Sequence, residues 1–445
     1  MRLDKDICLG GRYNGKIIRR IKYNGYYIYP NTYSKYNIYE VEIPNDNTTI
    51  YLDSTDRIGL PQVEVFYDFG DGVANPTVGS ITLTEYDENI NPIKNTYVTY
   101  TYAKAGNYQI KTTEFLYDFY HGYLKSVIAL RSDLKDASYL FANNNSLTSF
   151  ENAQVESLDE INNMNYMFNR CGNLETVIFA ETDFPDLTTM EWMFSGCENL
   201  DTVDFSYCFL PNVSSIDSIF ASSPRLKNVN FSHCNLSSIT SLLGAFYGGT
   251  VRSHAQSVDF SYCDLSGLTT LEQAFELSPT VTVDFSNANL SNVTSLSNTF
   301  NLSSLKHLNL SGITFGTITN MEFAFAGCPL LEEIDLSMLD TSNVTDMSGL
   351  FVQCPLLESV DIRNFDLTSI VINREGSGVQ VMFSECPKLH TIRLDNCSKN
   401  TIEKIIESYG FPTGEIEGMP RRIYCKQASA NGLITPDGWQ FEYID

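Results

Sequence analysis

Basic residues are scarce in this chain of 445 residues: 29 Lys and Arg stand against 54 Asp and Glu, a formal net charge of −25. A surface of that sign repels phosphate backbones and anionic headgroups, so neither nucleic acid nor an anionic bilayer is an expected partner. Long apolar runs are missing too. No stretch reaches the roughly 18 apolar residues of a membrane-crossing helix, and no membrane insertion is expected. The start, Met1-Arg2-Leu3-Asp4-Lys5-Asp6 followed by Ile7-Cys8-Leu9-Gly10, carries no apolar stretch after its charges. It does not read as a secretory or lipoprotein signal. The expectation is a chain that stays in the cytosol until something carries it out, or one whose leader has been removed. No CxxC pair occurs, no Cys/His cluster has zinc-like spacing, and the eleven cysteines are an odd number. Reduced thiols are expected rather than a disulfide scaffold.

What the chain does have is a repeat. A phrase ending in Phe, followed by an LxxVxF-like segment, recurs at Phe141, Phe168, Phe194, Phe220, Phe246, Phe275, Phe300, Phe325, Phe351 and Phe383, with a period near 26. A period of 20 to 50 residues signals a solenoid, in which each unit buries its apolar face only against its neighbours. In one clean unit, Ser342 to Thr368, residues Val344, Met347, Leu350, Phe351 and Cys354 fall at helical spacing. That spacing predicts a short helix with one apolar face, with N-cap oxygens from Ser342, Asn343 and Thr345. Pro355 marks its exit, and Leu357, Val360 and Ile362 follow as a strand whose side chains alternate in and out.

Repetition separates scaffold from surface without any alignment. The inward strand pair recurs from Val177/Phe179 to Val360/Ile362. Cysteines stand three residues after the Phe (Cys171, Cys197, Cys328, Cys354, Cys386) or three after the strand (Cys208, Cys234, Cys263, Cys397). These columns read as small buried hydrophobes. Outward columns of Asp or Asn (Asp204 to Asp361) and of Ser (Ser206 to Ser337) recur in nearly every unit, which marks them as hydrogen bonds closing each turn.

The flanks follow other grammars. Residues 1–40 carry eight Lys or Arg against three acids, and 18 of the 26 tyrosines lie at or before Tyr123. Within residues 1–37, Asn14-Gly15 and Asn24-Gly25 predict two hairpins among three short strands, Ile7–Tyr13, Lys16–Tyr23 and Tyr26–Tyr29. Residues 38–113 alternate apolar stretches with Gly, Pro, Asn and Asp, which predicts a small antiparallel β-sandwich. After Phe383 the repeat decays. Thr401 to Tyr409 reads as an amphipathic helix closed by Gly410 and Pro412, and Arg421 to Cys425 and Trp439 to Ile444 as strands. Residues 399–445 are thus the expected cap on a solenoid at 114–398.

The text SNVTDMSGLFVQCPLLESVDI and its variant TTMEWMFSGCENLDTVDFSYC resemble the BspA-like leucine-rich repeats of bacterial surface proteins, over roughly residues 137–397. Tyr67-Asp68-Phe69-Gly70-Asp71-Gly72, with Tyr100-Thr101-Tyr102 and Ala105-Gly106-Asn107-Tyr108, resembles a PKD domain, with Tyr67 where that family has Trp and Tyr100 where it has His. The resemblances imply an α/β and β architecture: about ten leucine-rich repeats behind a PKD-like sandwich and a short β-rich head. They also imply adhesion and display rather than catalysis. The order of the two also looks like virion proteins of tailed phages of gut bacteria.

That likeness implies a virion location, with assembly in the host cytoplasm, as a tail or head fibre or appendage. Residues 1–37 would then dock on other virion proteins through Arg12, Arg19, Arg20, Tyr23, Tyr26 and Tyr27. The repeats would contact a bacterial surface protein or polysaccharide, and a homo-oligomer is compatible with this. The alternative is a bacterial cell-surface adhesin or lipoprotein that binds host protein or glycan.

Recognition is expected where the repeats disagree. Ile178, Arg363 and Arg393 break the outward columns, and Tyr207, His233 and Tyr262 stand just beyond the strands. Two units are lengthened, one at Tyr247 to His254, which includes Arg252, and one at Ile372 to Gly378, which includes Arg374. Exposed aromatics beside Arg suit sugar or protein contacts. His307 and His390, with Glu333 and Ser359 between them, offer the geometry of a hydrolase only by chance, so no catalytic residue is expected. Asp68 and Asp71 suit either calcium or a tight turn; the turn is the expectation, with no metal or cofactor.

Overall fold

In the computed structural model, the described part is residues 134–445 apart from 152–157, 159, 248–254, 371–377, 415, 417–418 and 445. Ahead of residue 134 it comprises Lys104, Ala105 and the backbone of the strands. Among those strands, Arg12–Tyr13 pairs with Lys16–Ile17 and Ile21–Tyr23 with Tyr26–Ile28, each antiparallel across an Asn-Gly pair. Two four-stranded antiparallel sheets follow. One joins Leu124–Ala129, Asn37–Ile43, Gly106–Thr112 and Tyr67–Asp68, and the other joins Asp118–Tyr120, Thr48–Asp53, Pro92–Tyr102 and Gly79–Tyr86.

From Ser149 onward the sheets are parallel. Seven three-residue strands, from Ser149–Glu151 to His307–Asn309, form one sheet, and Glu333–Asp335 begins a second that runs to the last strand, Trp439–Tyr443. Register is constant within each sheet: Val177 pairs with Val203, Val203 with Val229, and Val360 with Ile392. The inward columns are buried, with Val177, Phe179, Val203, Phe205, Val360 and Ile362 fully out of water.

Among the described residues the predicted repeat helices are not there. Val344, Met347, Leu350, Phe351 and Cys354 are all buried as the helical spacing required, but their backbone is a run of turns. N–H groups bond alternately to the carbonyl three residues back (Leu350 to Met347, 3.2 Å) and to the next coil (Phe351 to Met382, 2.9 Å). Among the described residues, those two before and two after each phrase Phe take left-handed φ, as at Tyr166 and Arg170 (59° and 58°) and at Gly349 and Gln353 (62° and 60°). A left-handed residue every fourth position breaks an α-helix. A coil stacked alongside supplies the acceptors that an isolated helix would have to find within itself. Ser342, Asn343 and Thr345 therefore cap no helix; Thr345 instead donates its hydroxyl to Thr319 O at 3.2 Å in the coil before it.

Two aromatic spines fill the interior. The Phe of each phrase stacks on the next without a gap from Phe141 to Phe383, with centroids 5.0 to 5.8 Å apart. A strand-side spine runs Phe179, Phe205, Phe231, Phe260 and Phe285 at 5.1 to 5.4 Å and then gives way to Leu310, Leu336 and Ile362.

The cysteine columns do more than fill space. In the column three residues after the phrase Phe, each thiol donates to the phrase-Phe carbonyl of the coil before it, as Cys171 to Phe141 O (2.9 Å), Cys197 to Phe168 O (3.1 Å) and Cys354 to Phe325 O (3.1 Å). Ser223, in the same column, donates its hydroxyl to Phe194 O at 2.8 Å. The ten described cysteines are buried and none is in a disulfide.

The end of the chain closes the stack. The helix Lys399–Ile406 buries Ile402, Ile405 and Ile406, and Ser398 caps it by accepting from Thr401 N–H. Arg421–Cys425 and Trp439–Tyr443 extend the parallel sheet. Trp439 covers the last face, with Nε1 donating to Pro412 O at 2.7 Å and Phe411 edge-on at 5.2 Å.

Candidate binding surface

Each strand of the stack that ends in Asp or Asn is followed by a turn closed by that side chain. Asp204 Oδ1 accepts from Ser206 N–H (2.8 Å), Asn230 Oδ1 from Ser232 N–H (2.9 Å) and Asp259 Oδ1 from Ser261 N–H (2.7 Å). Those columns are therefore scaffold, as their repetition implied. In six successive coils the third residue after the strand turns left-handed: Glu181, Tyr207, His233, Tyr262, Asn287 and Gly312, with φ between 57° and 67°.

That turn points Tyr207, His233 and Tyr262 outward and lays their rings in one file. Tyr207 and His233 stack at 4.2 Å and 6°, and His233 and Tyr262 at 4.6 Å and 4°. The file is solvent-facing, with Tyr207 52% and Tyr262 56% exposed. Stacking hides the faces of His233 between its neighbours, so the file offers ring edges and two phenol hydroxyls. Ring edges carry the positive end of the aromatic quadrupole and hydroxyls both donate and accept, a combination that suits polar, oxygen-rich partners.

A second file lies on the turn side: Tyr139 on Tyr166 (4.7 Å, 5°) and Tyr166 on Trp192 (6.2 Å, 7°). The sequence reading passed over these residues. Their signal was present, since each stands two residues before the phrase Phe.

Other candidates are placed differently. Arg363 and Arg393 are bound to carboxylates of the same face. Arg363 makes a two-pronged pair with Asp361, its Nε 2.8 Å from Oδ1, while Arg393 pairs with Asp395 and lies 3.9 Å from Asp361. Those carboxylates hold both guanidiniums above their ordinary range, Asp361 acting on Arg363 and Asp395 on Arg393. Arg393 also sits 5.9 Å from the Tyr424 ring centroid. Tyr247 is half-buried at the edge of its lengthened unit. Arg252, His254 and Arg374 lie outside the described residues, as do Arg19, Arg20 and Asp71; Arg12, Tyr23, Tyr26, Tyr27 and Asp68 are placed by backbone alone.

The file that begins His307, Glu333, Ser359 continues to Thr391, which pairs with Ser359. His390 stands one residue before it, its Nδ1 2.9 Å from Thr391 Oγ1. Among the described residues no group of three or more His, Cys, Asp or Glu is placed to hold a metal ion, and no helix is long and apolar enough to cross a membrane.

A sequence family described as "Mycoplasma protein of unknown function, DUF285" matches residues 135–259 and 300–405, which is the part of the chain built from stacked coils. No curated protein matches the chain. Among solved structures, a leucine rich cell surface protein from Faecalibacterium prausnitzii A2-165 is 16% identical, over 61% of this chain and 79% of that one, with a TM-score of 0.20. At that score the likeness carries no argument.

Proposed function

The chain belongs to the DUF285 family, and from that premise we propose that it is a non-enzymatic binding protein whose coils form a rigid display frame. The observation that carries the reading is the exposed file Tyr207, His233, Tyr262, three flat side chains with little rotamer freedom left to lose on contact. Aromatic side chains on a stiff support are favoured binding anchors for that reason. The partner of this reading is a surface protein or polysaccharide rich in hydroxyl and carbonyl oxygens.

The finer reading places the protein on the outside of a bacterial cell, in keeping with its resemblance to BspA-like surface proteins. A phage virion is the second reading. It is supported by the net positive, tyrosine-rich head with its two Asn-Gly hairpins, which suits docking on other virion proteins. In either setting residues 38–113 act as a PKD-like spacer, a reading supported by the two antiparallel sheets that strands of this region help to build.

The test is pull-down of purified protein with bacterial cells and with extracted surface polysaccharide, comparing the native chain with a Tyr207→Ala/Tyr262→Ala variant. Loss of at least about tenfold in affinity with unchanged melting is the expected result for two exposed anchors. Equal binding by both proteins would remove the file from the function. Surface proteolysis of intact cells and mass spectrometry of purified particles separate the two locations.

A further inference from the structure

One rung of the parallel ladder is missing. In every other pair of neighbouring described coils from Thr176 to Arg393, the N–H of the residue directly after the strand reaches the next coil, as Phe260 to Asp284 O (2.7 Å), Phe285 to Asn309 O (2.9 Å) and Leu336 to Asp361 O (2.8 Å). Lys306 N–H and His307 N–H likewise reach back to Val281 O, and Glu358 N–H and Ser359 N–H to Glu332 O. Between the strands His307–Asn309 and Glu333–Asp335 no such bond forms. Leu310 N–H and Gly312 N–H on one edge, and Asp335 O on the other, have no backbone partner. The turn side stays zipped at the same level, Phe300 N–H bonding Ala324 O at 2.8 Å. The stack is therefore split along its strand face, where the short ladder of Asn289–Leu290 and Thr314–Phe315 also ends, and not along its turn side.

Three local changes meet at the split. The leg from the phrase Phe to the strand is ten residues before it (Phe300 to Leu310) and eleven after it (Phe325 to Leu336). The left-handed turn residue persists through Gly312 and is absent at Met338. The strand-side Phe spine has just ended at Phe285.

The opening is a cleft of about 430 Å³, within the roughly 300–1,000 Å³ range of ligand clefts. Its wall carries the carboxylates Asp284, Glu333, Asp335 and Asp361 against the cations Lys306 and Arg393. Both cations are already engaged, Lys306 with Glu332 across the split at 2.9 Å and Arg393 with Asp395. The cleft therefore combines open strand edges with a negative field.

We propose that this split receives an extended peptide bearing lysine or arginine, which adds as a strand on the open edges while its cationic side chains meet Glu333 and its neighbours. Added strands take affinity from backbone bonds and specificity from alternate side chains, and edges left open are templates for such pairing. This site is separate from the aromatic file, so either can fail alone.

The probe is a fluorescein-labelled heptapeptide alternating Thr and Lys, with two controls: Glu in place of Lys, and N-methylation of alternate backbone nitrogens. The full chain should bind the lysine peptide saturably, and each control should bind at least about tenfold more weakly. Hydrogen exchange gives a second readout. Amides of Leu310 and Gly312 should exchange much faster than those of Phe285 and Asn287 in the free protein, and slow when the lysine peptide is added. Glu333 is exposed and its carboxylate has no hydrogen-bonded partner among the described residues, so Glu333→Lys should fold and reverse the preference toward the glutamate peptide. No saturable binding at millimolar lysine peptide, equal binding of the N-methylated form, or protected Leu310 and Gly312 amides in the free protein would each overturn the proposal.

Discussion

The sharpest test of how the coils hold together is the pair Cys197→Ala and Cys197→Ser. Cys197 is fully buried, and its thiol donates to Phe168 O at 3.1 Å. If the column only needs a small apolar group, Ala should be tolerated and Ser should be worse, because a buried hydroxyl costs free energy unless it is bonded. If the column needs a donor, the order reverses. Ser223 occupies the same slot one coil on and reaches Phe194 O at 2.8 Å, so a serine hydroxyl fits the geometry.

The expected size can be worked out. Phe168 O also accepts Cys171 N–H at 3.1 Å, so Ala does not orphan it. The lost bond is worth about 0.5–1.5 kcal/mol rather than the larger cost of an unsatisfied group. Removing the sulfur adds a small cavity term, taking Cys197→Ala to about 1.5–2.5 kcal/mol. Ser keeps the bond and gives up only apolar surface, about 1 kcal/mol. Urea unfolding followed by far-UV circular dichroism, with the fluorescence of nearby Trp192 as local probe, measures both. An alanine variant as stable as the serine variant, or more so, would refute the donor role.

Phe205 stacks between Phe179 (5.2 Å) and Phe231 (5.1 Å) with no exposure. Phe205→Ala should cost about 3–5 kcal/mol in urea unfolding, and a cost below about 1 kcal/mol would mean that the strand-side spine is not structural. At Gly349 an added Cβ would come 2.3 Å from the Phe323 ring. Gly349→Ala should cost about 1–3 kcal/mol, and a second change, Phe323→Ala, should recover part of it in a double-mutant cycle. Other coils hold Ser218 and Asn298 in the same left-handed slot, so absence of rescue would move the cause from the clash to the backbone. Burial pushes the Cys397 thiol up to about 12 and Cys425 to about 11, from an ordinary 9.0. The folded chain thus holds protons that the unfolded chain releases. The stability they contribute is whole below pH 9 and is lost as pH rises from there through the folded values. The melting temperature should fall between pH 9 and 11, and iodoacetamide should label neither thiol in the native protein at pH 8; native labelling there would contradict their burial.

Much of this architecture was readable from period and pattern. A Phe at intervals near 26 residues predicted the stack, the Val/Phe alternation predicted the inward strand pair, and Arg421 to Cys425 and Trp439 to Ile444 read as two further strands. Repetition within one chain also sorted the Asp and Ser columns into turn chemistry, because a residue present in every coil answers a demand that every coil makes. Tyr207, His233 and Tyr262 were legible as candidates for the opposite reason, since they differ where the columns repeat.

The helices were misread because helical spacing reports which side chains point inward and not how the backbone is bonded. Positions i, i+3, i+4 and i+7 face the core equally well from a run of turns, and only the neighbouring coil's carbonyls decide which conformation wins. Stacking also decided what no single coil specifies. It brought Tyr207, His233 and Tyr262, which are 26 and 29 residues apart in the chain, to ring contact. It turned the cysteines into hydrogen-bond donors and left one rung open where a ten-residue leg meets an eleven-residue one. The sequence determined what each coil is made of. The tertiary structure decided which edges, rings and polar groups meet, because each of those contacts belongs to two coils and is absent from either one alone.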